Sequence, residues 1–328
     1  MQQLFSFFVS SALVLLLVPI TTSAQVGGAG NSFITPELAL ELTPAFPRPG
    51  QEVEVVLSDY GSGTFGSAIT WRYNGVSIPD TENRRSIVVF AGGLGTTATL
   101  EAVLTAPSGA QQVARATVKP LYIDIVIEPQ TYTPHFYNGR AVPSINSVVN
   151  ATALLNNGSA LGGSDHFYTW QIGQTVIDGG PLRGAQQVTF EMPLGQSSVL
   201  SLSVKDARGN TVGRRSILVP SITPKVSFYE VSSLYGVSTR ALDTTGSPLV
   251  GSSATLRAVP YFLDTRTYNN PDVLEWSLGG RTVTNSSNNP YIITLQGATQ
   301  GTNTNVELHV RSLTQILQGA QNSITISY

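Results

Sequence analysis

Ile69-Thr70-Trp71-Arg72-Tyr73-Asn74-Gly75, Tyr168-Thr169-Trp170-Gln171-Ile172-Gly173 and Leu274-Glu275-Trp276-Ser277-Leu278-Gly279-Gly280 hold the only three tryptophans of a 328-residue chain. In each stretch the larger apolar residues fall at Trp minus two, Trp and Trp plus two, with Val76, Val176 or Val283 close behind. That is period-2 alternation, the mark of a strand with one buried face, and the glycines that follow read as a turn. One pattern recurring three times at near-regular intervals makes this a tandem repeat chain. Trp71, Trp170 and Trp276 are expected at the centres of three hydrophobic cores.

The strands around each tryptophan follow one grammar. The first repeat runs through Leu38 to Leu42, Val53 to Leu57, the Trp71 strand, Ser86 to Phe90, Ala98 to Leu104 and, after Pro107-Ser108-Gly109, Val113 to Val118. The second has Tyr122 to Ile127, Val148 to Leu154, the Trp170 strand, Val188 to Met192, Val199 to Val204 and Ser216 to Val219. The third has Val226 to Tyr229, Ala254 to Val259, the Trp276 strand, Tyr291 to Leu295, Val306 to Val310 and a final strand at Ile324, with a long insertion at Tyr261 to Asp272. Short strands, an early tryptophan and a late hairpin describe an antiparallel sandwich of two sheets. The expected fold is all-β: three tandem immunoglobulin-like sandwich domains, at 35–120, 121–221 and 222–328, behind an N-terminal signal or anchor helix. Lys119-Pro120 and Pro220 to Pro224 are the boundaries, since closely spaced prolines cannot continue a ladder.

Composition agrees. Charged residues are 12% of the chain, well under the typical share for soluble domains, and no long helical pattern follows residue 25. A formal net charge of −2 without a basic cluster gives no footprint for nucleic acid, which needs several convergent Lys or Arg. Cysteine is absent, which excludes disulfides, thiolate metal sites and a cysteine nucleophile.

Residues 1–24, MQQLFSFFVSSALVLLLVPITTSA, hold an apolar run from Leu4 to Ile20 and small residues at Thr22-Ser23-Ala24. They read as a secretory signal cleaved after Ala24, with an uncleaved anchor as the alternative, and 25–34 read as a flexible lead. Both readings export the rest: extracellular, at the cell surface or periplasmic. Contact with a membrane is expected only through that N-terminal helix, if it is kept. Ser323 to Tyr328 reads as an alternating strand, which favours a last sandwich strand over an outer-membrane barrel signal. Asn150-Ala151-Thr152, Asn157-Gly158-Ser159 and Asn285-Ser286-Ser287 match the glycosylation acceptor pattern, as chance provides in a chain rich in these residues.

Tyr168-Thr169-Trp170 and Pro47-Arg48-Pro49-Gly50-Gln51 resemble the tryptophan strand and first corner of bacterial immunoglobulin-like and PKD-like surface domains. Tyr132 to Pro143, Val226 to Val231 and Leu256 to Phe262 look like segments of exported, Ig-like proteins of unknown role in small-genome bacteria of the candidate phyla radiation. The resemblance covers roughly residues 121–300. It implies an exported address and a sandwich fold, and carries no activity.

Catalytic patterns are missing. No G-x-S-x-G or H-E-x-x-H occurs, His135, His166 and His309 are far apart, and the sparse carboxylates single out no pair. Asp206 to Asn210 lacks the alternating ligands of a calcium loop, and Gly92-Gly93-Leu94-Gly95 precedes no helix that would present a phosphate site. No catalytic residue, cofactor or metal is expected.

One segment stands out. Tyr132, His135, Phe136, Tyr137 and Arg140 gather between two strands, and such rings stack on sugars or peptides while Arg anchors carboxylates. The favoured reading is that Phe136 and Tyr137 pack into the joint between repeats one and two or cover the end of the second sandwich, with ligand binding as the alternative. Tyr261, Phe262 and Tyr268 divide the same way. The expected role is a non-enzymatic spacer, adhesin or cell-envelope component whose partners are other envelope or surface proteins, or glycans. The alternative is a carbohydrate-binding or accessory protein using the aromatic loop.

Overall fold

The computed structural model of the chain describes residues 38–60, 66–156, 158, 163–243, 247–248, 253–285, 287–296 and 303–327. The expected signal or anchor, the lead, Asn157 and Ser286 lie outside these residues.

Strands β1 (Leu38–Thr43), β2 (Glu52–Asp59), β3 (Ala68–Tyr73), β4 (Val76–Ser77), β5 (Ser86–Phe90), β6 (Ala98–Thr105) and β7 (Gln111–Val118) come first. Next are β8 (Tyr122–Pro129), β9 (Val148–Asn156), β10 (Phe167–Ile172), β11 (Thr175–Val176), β12 (Leu182–Arg183), β13 (Gln187–Glu191), β14 (Ser197–Lys205) and β15 (Thr211–Pro220). The last group is β16 (Lys225–Ser232), β17 (Gly236–Ala241), β18 (Ser247–Pro248), β19 (Ser253–Tyr261), helix α1 (Thr265–Asn269), β20 (Val273–Leu278), β21 (Arg281–Val283), β22 (Ile292–Gln296), β23 (Asn303–Arg311) and β24 (Gly319–Ser327).

These strands form sheets that pair around three core clusters with the same order each time. Sheet β1-β2-β5 faces β4-β3-β6-β7, sheet β8-β9-β13 faces β11-β10-β14-β15, and sheet β16-β19-β22 faces β21-β20-β23-β24. Strands β1, β2 and β5 opposite β3, β6 and β7, matched by β8, β9 and β13 opposite β10, β14 and β15 and by β16, β19 and β22 opposite β20, β23 and β24, make immunoglobulin-like connectivity. The alternation explains the faces. In β2, Val53, Val55 and Leu57 are buried while Glu52 and Glu54 point outward, so a register slip of one residue would expose the whole apolar set.

The tryptophan strands β3, β10 and β20 are central in their sheets. Trp71, Trp170 and Trp276 are 0%, 2% and 1% exposed, and lie across from Ala102, Leu202 and Leu308 of the neighbouring strand. Each indole N–H donates at 2.9 Å to a backbone carbonyl of the opposite side of the sandwich's turn region: Arg84, Ala185 and Pro290. The ring thus fills the core and its polar edge is satisfied. After β3 the chain reverses through Asn74 and Gly75, both at positive φ (51° and 80°), the geometry of a type I′ hairpin that keeps the strand twist.

The third sandwich departs from the sequence expectation in two places. β17 pairs with β16, and β18 runs parallel to β24, through Ser247 opposite Ile326. β17 is mostly exposed and adds only an edge, so no buried face marks it in the sequence. The Tyr261 to Asp272 insertion carries α1, whose start is capped by the Asp264 side chain accepting from the Arg266 N–H.

Replacing an indole leaves both a cavity and a stranded carbonyl. Trp170→Ala is expected to destabilise the middle sandwich by about 3 to 5 kcal/mol, read as the midpoint shift in denaturant unfolding followed by circular dichroism. An unchanged midpoint would contradict this packing.

Candidate functional site

The β8–β9 connection, residues 130–147, carries every aromatic flagged in the second repeat. It leaves its own sandwich and lies on the third. Thr131 forms an isolated antiparallel bridge with Asp264, the Tyr132 N–H donates to the Leu263 carbonyl (2.7 Å), the Phe262 N–H to the Tyr132 carbonyl (2.8 Å) and the Thr265 N–H to the Gln130 carbonyl (2.9 Å). This short ladder brings the two unusual segments of the sequence, 130–143 and 261–268, together.

Their rings form one assembly. Tyr132 stacks on Tyr268 with centroids 3.6 Å apart, and Tyr268 stacks on Tyr291 at 4.6 Å. The Tyr132 hydroxyl accepts from Arg257 Nη2 (2.9 Å), and the Tyr291 hydroxyl donates to the Tyr268 carbonyl (2.7 Å). Phe136 meets Tyr229 edge-on at 5.2 Å, and Tyr137 meets Tyr261 and Phe262 at 5.4 and 5.8 Å. The Tyr229 and Tyr261 hydroxyls are 2.6 Å apart. Tyr229, Val259, Tyr261 and Phe262 form a buried cluster of their own, separate from the three sandwich cores.

A polar lock lies beside the rings. Asp264, whose carboxylate is fully buried, accepts from the Val148 N–H (2.8 Å), the Arg266 N–H (2.8 Å) and Arg266 Nε (3.0 Å). Arg266 reaches on to Glu191 (3.0 Å) and to the Asn146 carbonyl (3.3 Å), both in the second sandwich. Gln318, also fully buried, accepts from the Asp264 N–H (2.9 Å) and donates to Ser144 Oγ (2.9 Å) and the Ile145 carbonyl. The Ile222 N–H donates to the Pro143 carbonyl (3.0 Å). These buried groups are paired across the joint, so the two sandwiches share one satisfied network.

The candidates therefore separate. Tyr132, Phe136 and Tyr137 are committed to the joint between the second and third sandwiches. This corrects the expectation of a joint between the first and second, and the cause is the ladder with 262–265, a pairing no local pattern reports. Tyr261, Phe262 and Tyr268 belong to the same cluster. His135 is exposed and touches only the edge of Phe136, at 5.4 Å, among the ring contacts of described residues. Arg140 is exposed and borders a shallow hollow of about 500 Å³ with Glu128, Val142 and Pro220. Sequence reasoning missed Asp264, Arg266 and Gln318. Only the Asp264 N-cap position was open to detection in advance.

Among the described residues no group of three or more His, Asp or Glu is placed to hold a metal ion. No described helix is long and apolar enough to cross a membrane.

No family model matches this chain, and no curated protein matches it. Among solved structures, the three N-terminal domains of the bacteriophage RB49 Highly Immunogenic Outer Capsid protein align over 88% of this chain and 97% of theirs, at 12% identity and a TM-score of 0.25. SGBP-B of the Bacteroides ovatus mixed-linkage glucan utilization locus, in complex with mixed-linkage heptasaccharide, aligns over 88% of this chain and 70% of its own at 15% identity, with a TM-score of 0.24. Immunoglobulin domains 1–5 of Sidekick-1 align over 89% of this chain and 57% of theirs, at 11% identity and a TM-score of 0.30. Superpositions this loose carry no argument about role. The class of the protein, a tandem immunoglobulin-like β-sandwich chain, rests on its own strand order.

The joint makes two checkable statements. Asp264→Ala strands the Val148 and Arg266 N–H groups and should cost on the order of 3 kcal/mol. Calorimetry should then show the third sandwich melting apart from the second, where the parent chain melts them together. Burial, before any other cause, pushes the Tyr261, Tyr268 and Tyr291 phenols well above the ordinary tyrosine range. A raised folded value means stability that is complete below the unfolded value of about 10 and is lost as pH climbs past it. Undocking should therefore accompany phenolate absorbance in an alkaline titration, and docking that survives full ionisation would contradict the packing.

Proposed function

We propose that this chain is a non-enzymatic, exported surface or secreted protein whose sandwiches are three domains, 35–120, 121–221 and 222–328, acting as a spacer, adhesive module or cell-envelope component. The observation that carries the reading is the joint between the second and third sandwiches. A chain whose task is reach and display needs its domains held at fixed angles, and here aromatic packing and a buried hydrogen-bond network fix one of them. Ordinary interdomain contacts within a chain are smaller and more polar, and permit relative motion.

The alternative, carbohydrate binding by the aromatic loop, depends on free ring faces. Tyr132 is stacked, and Phe136 and Tyr137 are packed against the third sandwich, which leaves His135 and Arg140 as the exposed members of that set.

The natural absence of cysteine allows a direct test, because two introduced cysteines can carry spin labels without background. Labels at exposed Leu154 and Leu234 should give a narrow distance distribution that broadens in Asp264→Ala. A broad distribution in the parent chain would sink the fixed-spacer reading. Export is tested by the N-terminal residue of the protein recovered from cells: Gln25 in a soluble fraction supports secretion, and Met1 in membranes supports an anchor.

A further inference from the structure

The other joint, between the first and second sandwiches, is built differently. The Leu121 N–H donates to the Pro47 carbonyl (2.9 Å), and Arg48 lies over the Tyr122 ring at 5.5 Å. At one margin the backbones of Gly95 and Gly158 come so close that a Cβ on Gly158 would stand 2.6 Å from Gly95. Beside these contacts a cleft of about 480 Å³ lies between the described residues of the two sandwiches. That volume is ordinary for a small-molecule site and large for a packing defect.

The walls of the cleft come from loop ends of both sandwiches. The β1–β2 turn supplies Phe46, the end of β7 supplies Thr117, and the linker supplies Lys119. Across from them, the β14–β15 hairpin supplies Asp206, Asn210 and Thr211. Lys119 and the hydroxyls of Thr117 and Thr211 have no hydrogen-bond or ion-pair partner among the described residues. His166 lines the same space, and its Nδ1 also lacks a hydrogen-bond partner.

The chemistry of this set is specific in kind. Asp206 Oδ1 accepts from the Arg208 and Asn210 N–H groups, Oδ2 accepts from Asn210 Nδ2, and the Asp206 N–H donates to the Asn210 backbone carbonyl (2.9 Å), so the turn is closed and the Asn210 side-chain oxygen Oδ1 is left as an acceptor. Its carboxyl is held below the usual carboxylate range, first by the Asn210 amide and also by the turn's own N–H groups. The lining therefore holds one fixed negative charge, one positive charge, several hydroxyls that both donate and accept, and one aromatic wall. Opposite charges of equal number disfavour an ionic ligand of either sign. Uncharged donors and acceptors in one cleft with an aromatic ring suit a ligand that carries both hydroxyls and apolar C–H faces.

We propose that the cleft between the first and second sandwiches is a binding site for a neutral polysaccharide, which it grips by one or more uncharged sugar rings. Phe46 provides the apolar wall, and Thr117, Lys119, Asn210 and Thr211 provide hydrogen bonds from both domains. Because the walls belong to different sandwiches, occupancy also stiffens this joint. The site is independent of the 132–140 loop, and the spacer reading stands or falls without it.

The test is calorimetric titration of the full chain with neutral hexasaccharides of glucose, mannose, xylose and N-acetylglucosamine, with a uronate hexamer as the charged comparator. Saturable binding of at least one neutral oligomer is expected. The double variant Thr117→Val, Lys119→Ala changes two exposed side chains, so its thermal transitions should match the parent, while affinity falls by about tenfold or more. His135→Ala with Arg140→Ala should bind as the parent does. The proposal is overturned if no neutral oligomer binds, if only the uronate binds, if the cleft variant binds normally, or if the loop variant is the one that loses binding.

Discussion

Each sandwich in this chain has to bury an indole whole and find an acceptor for its N–H. With no disulfide available to hold two sheets together, the ring does the holding: it fills the core from a central strand, and its N–H reaches a carbonyl 13 to 15 residues further on, at Arg84, Ala185 or Pro290. That bond fixes the tryptophan strand of one sheet relative to the entry of β5, β13 or β22 in the other. Packing alone would tolerate several ring positions, but a buried donor tolerates only those with an acceptor. The conserved spacing within this one chain follows from that geometry.

The two joints show what differs when the same fold is linked twice. At the first, the short linker Lys119-Pro120-Leu121 brings loop ends near each other and leaves a polar cleft between them. At the second, sandwich two extends its 130–147 connection over the outer face of β16 and β19, where Tyr229, Val259 and Tyr261 would otherwise be exposed. Ring contacts alone would permit sliding. The buried Asp264 and Gln318 remove that freedom, because any displacement strands charged or amide groups away from water. Apolar area supplies attraction here, and the polar network supplies a single geometry.

The legible part of the fold was the part encoded by local periodicity. Val53-Val55-Leu57, Ile69-Trp71 and Leu100-Ala102-Leu104 alternate because one face of each strand is buried, and such strands stand near the positions their pattern gives. β17 and β18 gave no signal because edge pairing needs backbone groups and not a buried face. The candidate site was half legible. Tyr132, Phe136 and Tyr137 were visible as an unusual cluster, but their partners lie on the third sandwich, Tyr229, Tyr261, Phe262 and Tyr268, and nothing local distinguishes a ring that binds a ligand from one that binds a neighbouring domain. Asp264 and Gln318 gave no local signal of their burial: Asp264 is buried where it bridges Thr131, and Gln318 where it meets Ser144 and Ile145 of the second sandwich.

Within the third repeat's insertion, Tyr261 to Asp272, Leu263 joins the sandwich's own core and Tyr268 packs against it. The remainder, Tyr261, Phe262, Asp264 and Arg266, faces the second sandwich. Phe262 even holds a positive φ of 61°, a backbone state that costs free energy for a residue with a side chain and persists only where surrounding contacts compensate. The compensation lies across the joint, in the Tyr137 ring and the Tyr132 carbonyl that accepts the Phe262 N–H. The insertion and the aromatic loop are therefore two halves of one structural element, divided between domains, and each makes physical sense only in the presence of the other.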